Sequence, residues 1–471
     1  MAAHLKIGIA GAGVLGRLLA WRLSRAGHAV TVFDPATGPQ APATGRIGAA
    51  PTPHAAGFTA AGMLSPLAEL DNAGPDIARL GWRSLALWRQ IAGTLRAQGF
   101  SAPLFAQHGS LMLAHGADLG AARRVLARLE TAPALAADLP APQPLERAAL
   151  AALEPAIAPG LHAWLLPQEG QVMGRDMLHA LAAQAQGAWW CWDERAQRVE
   201  PGRIVLADGE VARFDLAIDT RGVNLAHPRA ACGVTPSRGR PQRPGEAGSA
   251  PALEGDMAVR GVRGEVVWLH APGVRLRRPA RLLHPRHRVY IVPRPDDLFV
   301  IGASEIESED RSPVSLRSAV ELMAAAHSVI PELAEARIVH MESNLRPALP
   351  DNEPRIEHAP GLLRVNGLFR HGWLLAPALA QDALTQCGLV EPAPATGAET
   401  GSSFPRGRES MATTASLAND RLDPRLRGDD GVERQQDLDS GHRLDSRMRG
   451  DDGIGNAPGV GSGTGTAPTR A

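Results

Sequence analysis

Residues 5–35 constrain the fold more tightly than any other part of the chain. Lys6–Ala10 is a short apolar run that reads as a buried parallel strand. It leads into Gly11-Ala-Gly-Val-Leu-Gly16, a G-x-G-x-x-G turn. Val14–Arg25 has helical spacing, and Gly27-His28 ends that helix. Ala29–Phe33 is a second buried strand, closed by Asp34-Pro35. Strand, glycine turn, helix, strand and acid in this register make a nucleotide cradle. Gly11 permits the tight turn, Gly13 lets the backbone approach a pyrophosphate, and Gly16 lets helix and strand pack closely. The opening turn at Val14 and Leu15 supplies amide donors and a partial positive charge. Asp34 can accept the ribose hydroxyls of an adenosine and would repel a phosphorylated ribose. A dinucleotide is expected here, but this motif alone does not separate FAD from NAD.

Composition limits the other possibilities. The 471 residues carry 44% apolar and 21% charged side chains and a formal net charge of +0. That argues against nucleic acid as the main partner. Cys191, Cys232 and Cys387 have no paired spacing, which fits a reducing cytoplasm and no structural metal. No apolar run approaches the roughly 20 residues of a membrane helix, so neither a membrane nor a signal segment is expected. A homo-oligomer is compatible with the sequence.

Two distant segments favour a flavin. Thr59-Ala-Ala-Gly-Met-Leu-Ser-Pro66 is a run of small residues that lets the chain pass close to a flat ring, with Met63 able to pack on it. Val365 to Pro377 places a glycine-containing turn, Arg370-His-Gly372, before a final helix. A helix N-terminus aimed at the pyrimidine side of a flavin would stabilise the negative charge of reduction. Elsewhere, Asp76 is expected to cap a helix with apolar positions Ile77, Leu80, Leu85, Trp88 and Ile91. Residues 125–167 read as helical and then irregular. Arg175–Gln186 and Val314–Val329 read as helices. Val262–Leu276, Val289–Pro293, Leu298–Ala303 and Leu362–Asn366 read as strands. After about Pro392 the periodicity stops. A charged decamer starting at Leu422 is echoed at Leu444, too few copies for a solenoid.

In order, Gly11–Gly16, Ala60-Ala-Gly-Met-Leu-Ser-Pro66, Tyr290-Ile-Val-Pro-Arg294, Gly302-Ala-Ser304, Leu345-Arg-Pro347, Asp351-Asn352 and Phe369-Arg-His-Gly-Trp-Leu-Leu-Ala-Pro377 resemble the glycine oxidase branch of the D-amino acid oxidase family. The resemblance covers roughly residues 5–390. It implies an α/β fold in which a Rossmann-like FAD-binding domain is interleaved with a discontinuous α+β substrate domain. Residues 1–75, 171–231 and 341–391 would form the FAD-binding domain, and 76–170 and 258–340 the substrate domain. Residues 232–257 would be a flexible insertion, and 392–471 a disordered tail.

The resemblance also implies site roles. Arg346 would grip the substrate carboxylate through a two-pronged pair. Arg370 would sit near substrate and flavin, and Tyr290, the only tyrosine, would offer its hydroxyl. Met63 would neighbour flavin or substrate. Cofactor contacts are expected at Gly11, Gly13, Val14, Leu15, Gly16, Asp34, Ala60, Ala61, Gly62, Met63, Ala196, Gly222, His371, Gly372, Leu374 and Leu375.

The implied chemistry is hydride transfer from the substrate Cα to flavin N5. Oxygen would reoxidise the flavin to give hydrogen peroxide. The imine would hydrolyse to glyoxylate or pass to thiazole assembly for thiamine. Two departures stand out. Glu305 occupies a position where the family often shows an apolar residue. Asp219-Thr-Arg-Gly222 replaces an Ala-x-Gly-type strand end. Glu305 would face away, contact the substrate ammonium or carry a raised pKa, and it leaves sarcosine or a small D-amino acid open as substrates. A dehydrogenase, a non-catalytic flavin-binding partner protein and an NAD enzyme also remain open.

Overall fold

The computed structural model describes residues 4–40, 54–135, 139–225, 257–284 and 288–390. The expected insertion, apart from Met257, and the expected tail lie outside the described residues. Residues 1–395 make one compact unit.

A six-stranded sheet carries the nucleotide end. Its order is Arg355–Ala359, Leu362–Asn366, Leu216–Asp219, Lys6–Ala10, Ala29–Asp34, Ala188–Trp192. The last five strands are parallel, and Arg355–Ala359 pairs antiparallel at the edge. Ile7 and Ile9 are fully buried in the central strand, as expected for a strand covered on both faces. Two helices pack in the same core through Leu15, Leu18, Leu19, Leu375 and Leu379. One is Val14–Arg25, ending before Gly27 at φ +89°; the other is the final helix, Gly372–Gln386. Gly16 holds the first helix tight to its strand: a Cβ there would stand 1.8 Å from the Gly11 carbonyl oxygen.

An eight-stranded sheet forms the second layer. Its order is Arg337–Ala348, Arg260–His270, Leu298–Gly302, Arg288–Arg294, Ala280–Leu283, Ser110–Ala114, His162–Leu166, Gln143–Leu145. All neighbours are antiparallel except Ala280–Leu283 with Ser110–Ala114. Its second core gathers Val267, Ile291, Phe299 and Ile301 against the helix Leu316–Val329. A small three-stranded sheet joins Met63–Leu64, Gly170–Val172 and Phe105–Ala106.

Several sequence expectations change. Asp76 does not cap its helix. The helix Pro75–Ala97 starts after Gly74, with Pro75 pre-set for the first turn, and Asp76 pairs with Arg79 at 2.7 Å. Residues 125–167 hold strands as well as helices: Gln143–Leu145 and His162–Leu166 extend the large sheet beside the helices Leu119–Leu129 and Arg147–Leu153. The strand expected to reach Leu276 ends at His270, where Ala271 opens a turn through Gly273 at φ +89°. The 12-residue strand Arg337–Ala348 has no clean alternation in sequence and is legible only in the fold.

Candidate active site

A cavity of about 900 Å³ runs from the glycine turn to the large sheet. At its nucleotide end Gly11, at φ +97°, has no room for a side chain, because a Cβ would meet the Thr220 carbonyl oxygen at 2.7 Å. Gly13 is the opposite case: only Ala55 lies near its absent Cβ, at 3.8 Å, so this backbone is open to a ligand. Asp34 is fixed by amides, with Ala12 donating at 2.6 Å and Ala36 at 2.9 Å. Val14, Leu15 and Asp34 all line the cavity. A backbone cradle cleared of side chains, an acid beside it and a cavity long enough for an extended ligand fit FAD.

The segment Asp219–Gly222 reaches the same wall, and Thr220, Arg221 and Gly222 line it. Arg221 forks onto Asp219 at 2.7 and 2.9 Å and donates to the Ala196 and Gln197 carbonyls at 3.2 and 2.8 Å. This departure therefore ties two strands together beside the cradle. Ala196 touches Arg221 and is buried, but it does not line the cavity. Nor do Gly16, which makes the helix contact described above, or Leu375, which is fully buried in the core.

Ala60, Ala61, Gly62 and Met63 line the middle of the cavity. Gly62, at φ +69°, passes 2.3 Å from the Val172 carbonyl oxygen at its Cβ position, so only glycine fits. Ala61 and Met63 pack with Val266, Tyr290 and Ala303 in a small apolar cluster. His371, Gly372 and Leu374, at the start of the final helix, also line this region. The first intrahelical bond runs from Leu375 N–H to His371 C=O, so the preceding amides carry the helix's partial positive charge. The preceding turn is strapped to the large sheet: Phe369 N–H donates to the Pro347 carbonyl at 2.7 Å, next to Arg346.

At the other end of the cavity the structure brings together the four residues expected to meet the substrate, Arg346, Tyr290, Arg370 and Glu305. Two glycines give two of them space. A Cβ on Gly264 would stand 2.4 Å from Arg346 Nη2, and one on Gly302 would stand 2.6 Å from the Tyr290 hydroxyl. Arg346 thus leans across the neighbouring strand, donating to the Ser304 carbonyl at 2.9 Å and the Arg263 carbonyl at 3.2 Å. Among the described residues no carboxylate lies within ion-pair distance of it. Burial pushes its pKa down, opposed by Tyr290 and Glu305. Burial pushes the Tyr290 hydroxyl up, opposed chiefly by Arg346.

Arg370 differs: it is already neutralised. Its Nη2 donates to Glu69 at 2.8 Å, and its Nη1 faces Glu305 at 3.6 Å. Glu69 is buried at the end of the short helix Pro66–Glu69 and also meets His371 Nε2 at 2.9 Å and Arg281 at 3.6 Å. Burial raises its pKa, but Arg370, His371 and Arg281 outweigh that and hold it well below the usual range.

Sequence reasoning missed Glu69, Arg281, Gly264 and a cluster around Glu342. Glu342 accepts from Thr59 Oγ1 at 2.5 Å, Arg175 at 2.8 Å and His340 at 3.2 Å, and pairs with His54 at 2.7 Å. Asn344 donates to the His54 carbonyl and Thr59 Oγ1. Glu342, Asn344 and Arg346 alternate along one strand, so one face anchors the segment His54–Thr59 and carries Arg346. Ser343, polar as well, hides that period of two in the sequence.

A family model described as FAD dependent oxidoreductase (DAO) matches residues 6–385. A Rhizobium etli protein that carries the name thiamine biosynthesis oxidoreductase ThiO is 35% identical over 82% of this chain and 99% of its own length. The crystal structure of glycine oxidase from Geobacillus kaustophilus superposes with a TM-score of 0.65 at 24% identity, covering 81% of this chain and 95% of that one. Iminodiacetate oxidase from Chelativorans sp. BNC1 gives the same TM-score at 23% identity, covering 83% and 98%.

Proposed function

The chain belongs to the FAD dependent oxidoreductase (DAO) family, on its ThiO and glycine oxidase branch, and from that premise we propose that it oxidises glycine or a similarly small amine. Arg346 carries this reading: it is a guanidinium facing the cavity with carbonyl oxygens and, among the described residues, no carboxylate as partners. A substrate carboxylate is the missing counter-ion, and the two-pronged geometry of arginine suits it.

Tyr290 adds a hydroxyl from the adjacent strand. Arg370, already held by Glu69 and Glu305, shapes the wall beside the carboxylate and offers it no free fork. Met63, Ala61 and Val266 supply an apolar floor that limits the side chain of the amine. Bound FAD would accept a hydride from the substrate Cα, with oxygen as the onward acceptor giving hydrogen peroxide. The chain's own work is orientation, exclusion of water and stabilisation of charge. The amine reacts in its neutral form, its proton leaving to solvent, and the imine hydrolyses to glyoxylate or is passed on. The name of the Rhizobium etli relative supports a supply role in thiamine biosynthesis.

Anaerobic addition of glycine to the purified yellow protein tests this. The blue absorbance of oxidised flavin should bleach and return with air. No bleaching by glycine, sarcosine or D-alanine would overturn the proposal.

A further inference from the structure

Glu305 is the charged group at the substrate end that the reading above leaves without a task. It lines the cavity, and its side chain is half-exposed. Its backbone is nevertheless pinned on both sides. Ser304 donates through its hydroxyl to the Glu265 carboxylate at 3.1 Å and through its amide to the Glu265 carbonyl at 3.3 Å. Ile306 exchanges backbone hydrogen bonds with Arg263 at 2.9 and 3.0 Å. Glu265 is itself fully buried in an ion pair with Arg263 at 2.6 Å. The carboxylate of Glu305 is therefore presented from a fixed bridge and not from a loose loop.

What it faces is Arg370 Nη1 at 3.6 Å, while Glu69 takes Nη2 at 2.8 Å. Both ends of that guanidinium are engaged by acids. Arg281 is engaged by the same Glu69 at 3.6 Å. Arg311, Arg317, Glu321 and His284 also line the cavity and mix both signs. Of Arg281, Arg346 and Arg370, Arg346 has only carbonyl acceptors among the described residues.

We propose that Glu305 is a specificity-determining residue: by engaging Arg370 it leaves Arg346 as the one guanidinium of the Arg281, Arg346 and Arg370 group without a carboxylate partner among the described residues, so the pocket takes amines with one carboxylate and rejects those with two. The inference rests on the small amino acid reading above. A second substrate carboxylate would meet Glu305 as a like charge and would find Arg370 already neutralised. Removing the charge of Glu305 would reverse both effects at once.

The test is calorimetric binding of acetate and malonate to the FAD-loaded full-length protein at constant ionic strength. It compares wild type with Glu305→Gln and Glu305→Asp. In wild type malonate should bind no better than acetate. Glu305→Gln should raise the malonate-to-acetate affinity ratio at least ~10-fold, while Glu305→Asp should leave it within about threefold. A ratio unchanged in Glu305→Gln, with acetate binding still abolished by Arg346→Ala, would sink this proposal and spare the substrate reading. Acetate binding that survives Arg346→Ala would sink the substrate reading and this inference with it.

Discussion

Gly264→Ala tests the placement of Arg346 without touching the arginine. The new Cβ would stand 2.4 Å from Nη2, 2.5 Å from Cζ and 2.7 Å from Nη1, where ordinary contact begins at 3.4 Å. The guanidinium is the mobile end of a flexible side chain, so it retreats by about 1 Å while the strand stays in place. A misplacement of about 1 Å in a positioning group can cost ~10²-fold in rate, or about 2.7 kcal/mol of transition-state binding. Most of it should fall on KM, because carboxylate binding is common to ground and transition states. Stability should hardly change, since alanine gains roughly 0.5–1 kcal/mol over glycine in a strand interior, against modest crowding. Steady-state kinetics with glycine, melting temperature and FAD affinity would be measured together. Gly261→Ala is the control: it crowds Leu345 at 3.0 Å on the same strand, away from Arg346. A Gly264→Ala enzyme with wild-type KM would refute the reasoning, as would an equal loss in Gly261→Ala.

Glu342→Gln should weaken FAD binding ~10-fold or more, since charge-assisted hydrogen bonds to His54, Thr59 and Arg175 anchor a segment lining the cofactor end; fluorescence of released FAD measures this, and an unchanged Kd would dismiss the anchor. Glu169→Gln should change the pH dependence of stability. Burial raises the Glu169 carboxyl to about 7 against the donors Ser110, Leu67 and Ala68. A raised native pKa favours the protonated form in the fold, so wild-type stability falls as pH rises from about 4.5 to about 7 and is level above that. The fully buried group puts the upper limit of this loss at ~3 kcal/mol. The amide variant should lose correspondingly less between pH 5 and 8 in chemical unfolding, and parallel pH profiles would refute the assignment.

The nucleotide end was legible because its constraints are local. Strand, turn, helix and acid lie within about 30 residues of sequence, and each is set by its own periodicity or by a glycine. Even there, the role of Gly16 is contact between helix and turn and not contact with the cavity. The other end of the cavity was legible only as isolated motifs. Arg346, Tyr290 and Arg370 could be named, but their charge states depend on partners far away in sequence. Glu69 comes from 301 residues before Arg370, and its pairing is what separates the two arginines chemically. Nothing in a run such as Leu67-Ala-Glu-Leu70 distinguishes a buried counter-ion from a solvated helix end.

The strand Arg337–Ala348 was missed for a related reason. It is an edge strand, exposed along Arg337, Ile338, Val339 and Met341 and buried only toward its end, and Glu342-Ser-Asn344 is polar throughout, so polar and apolar residues do not alternate along it. In the fold every second residue from Glu342 turns to one face, and Glu342, Asn344 and Arg346 each have a polar task there. Glu342 and Asn344 hold the segment His54–Thr59, and Arg346 faces the other end of the cavity. A strand whose buried face is polar cannot be recognised by hydrophobic alternation. That same polarity couples the two ends of the cavity through one rigid element, so displacing the strand would disturb cofactor and substrate binding together.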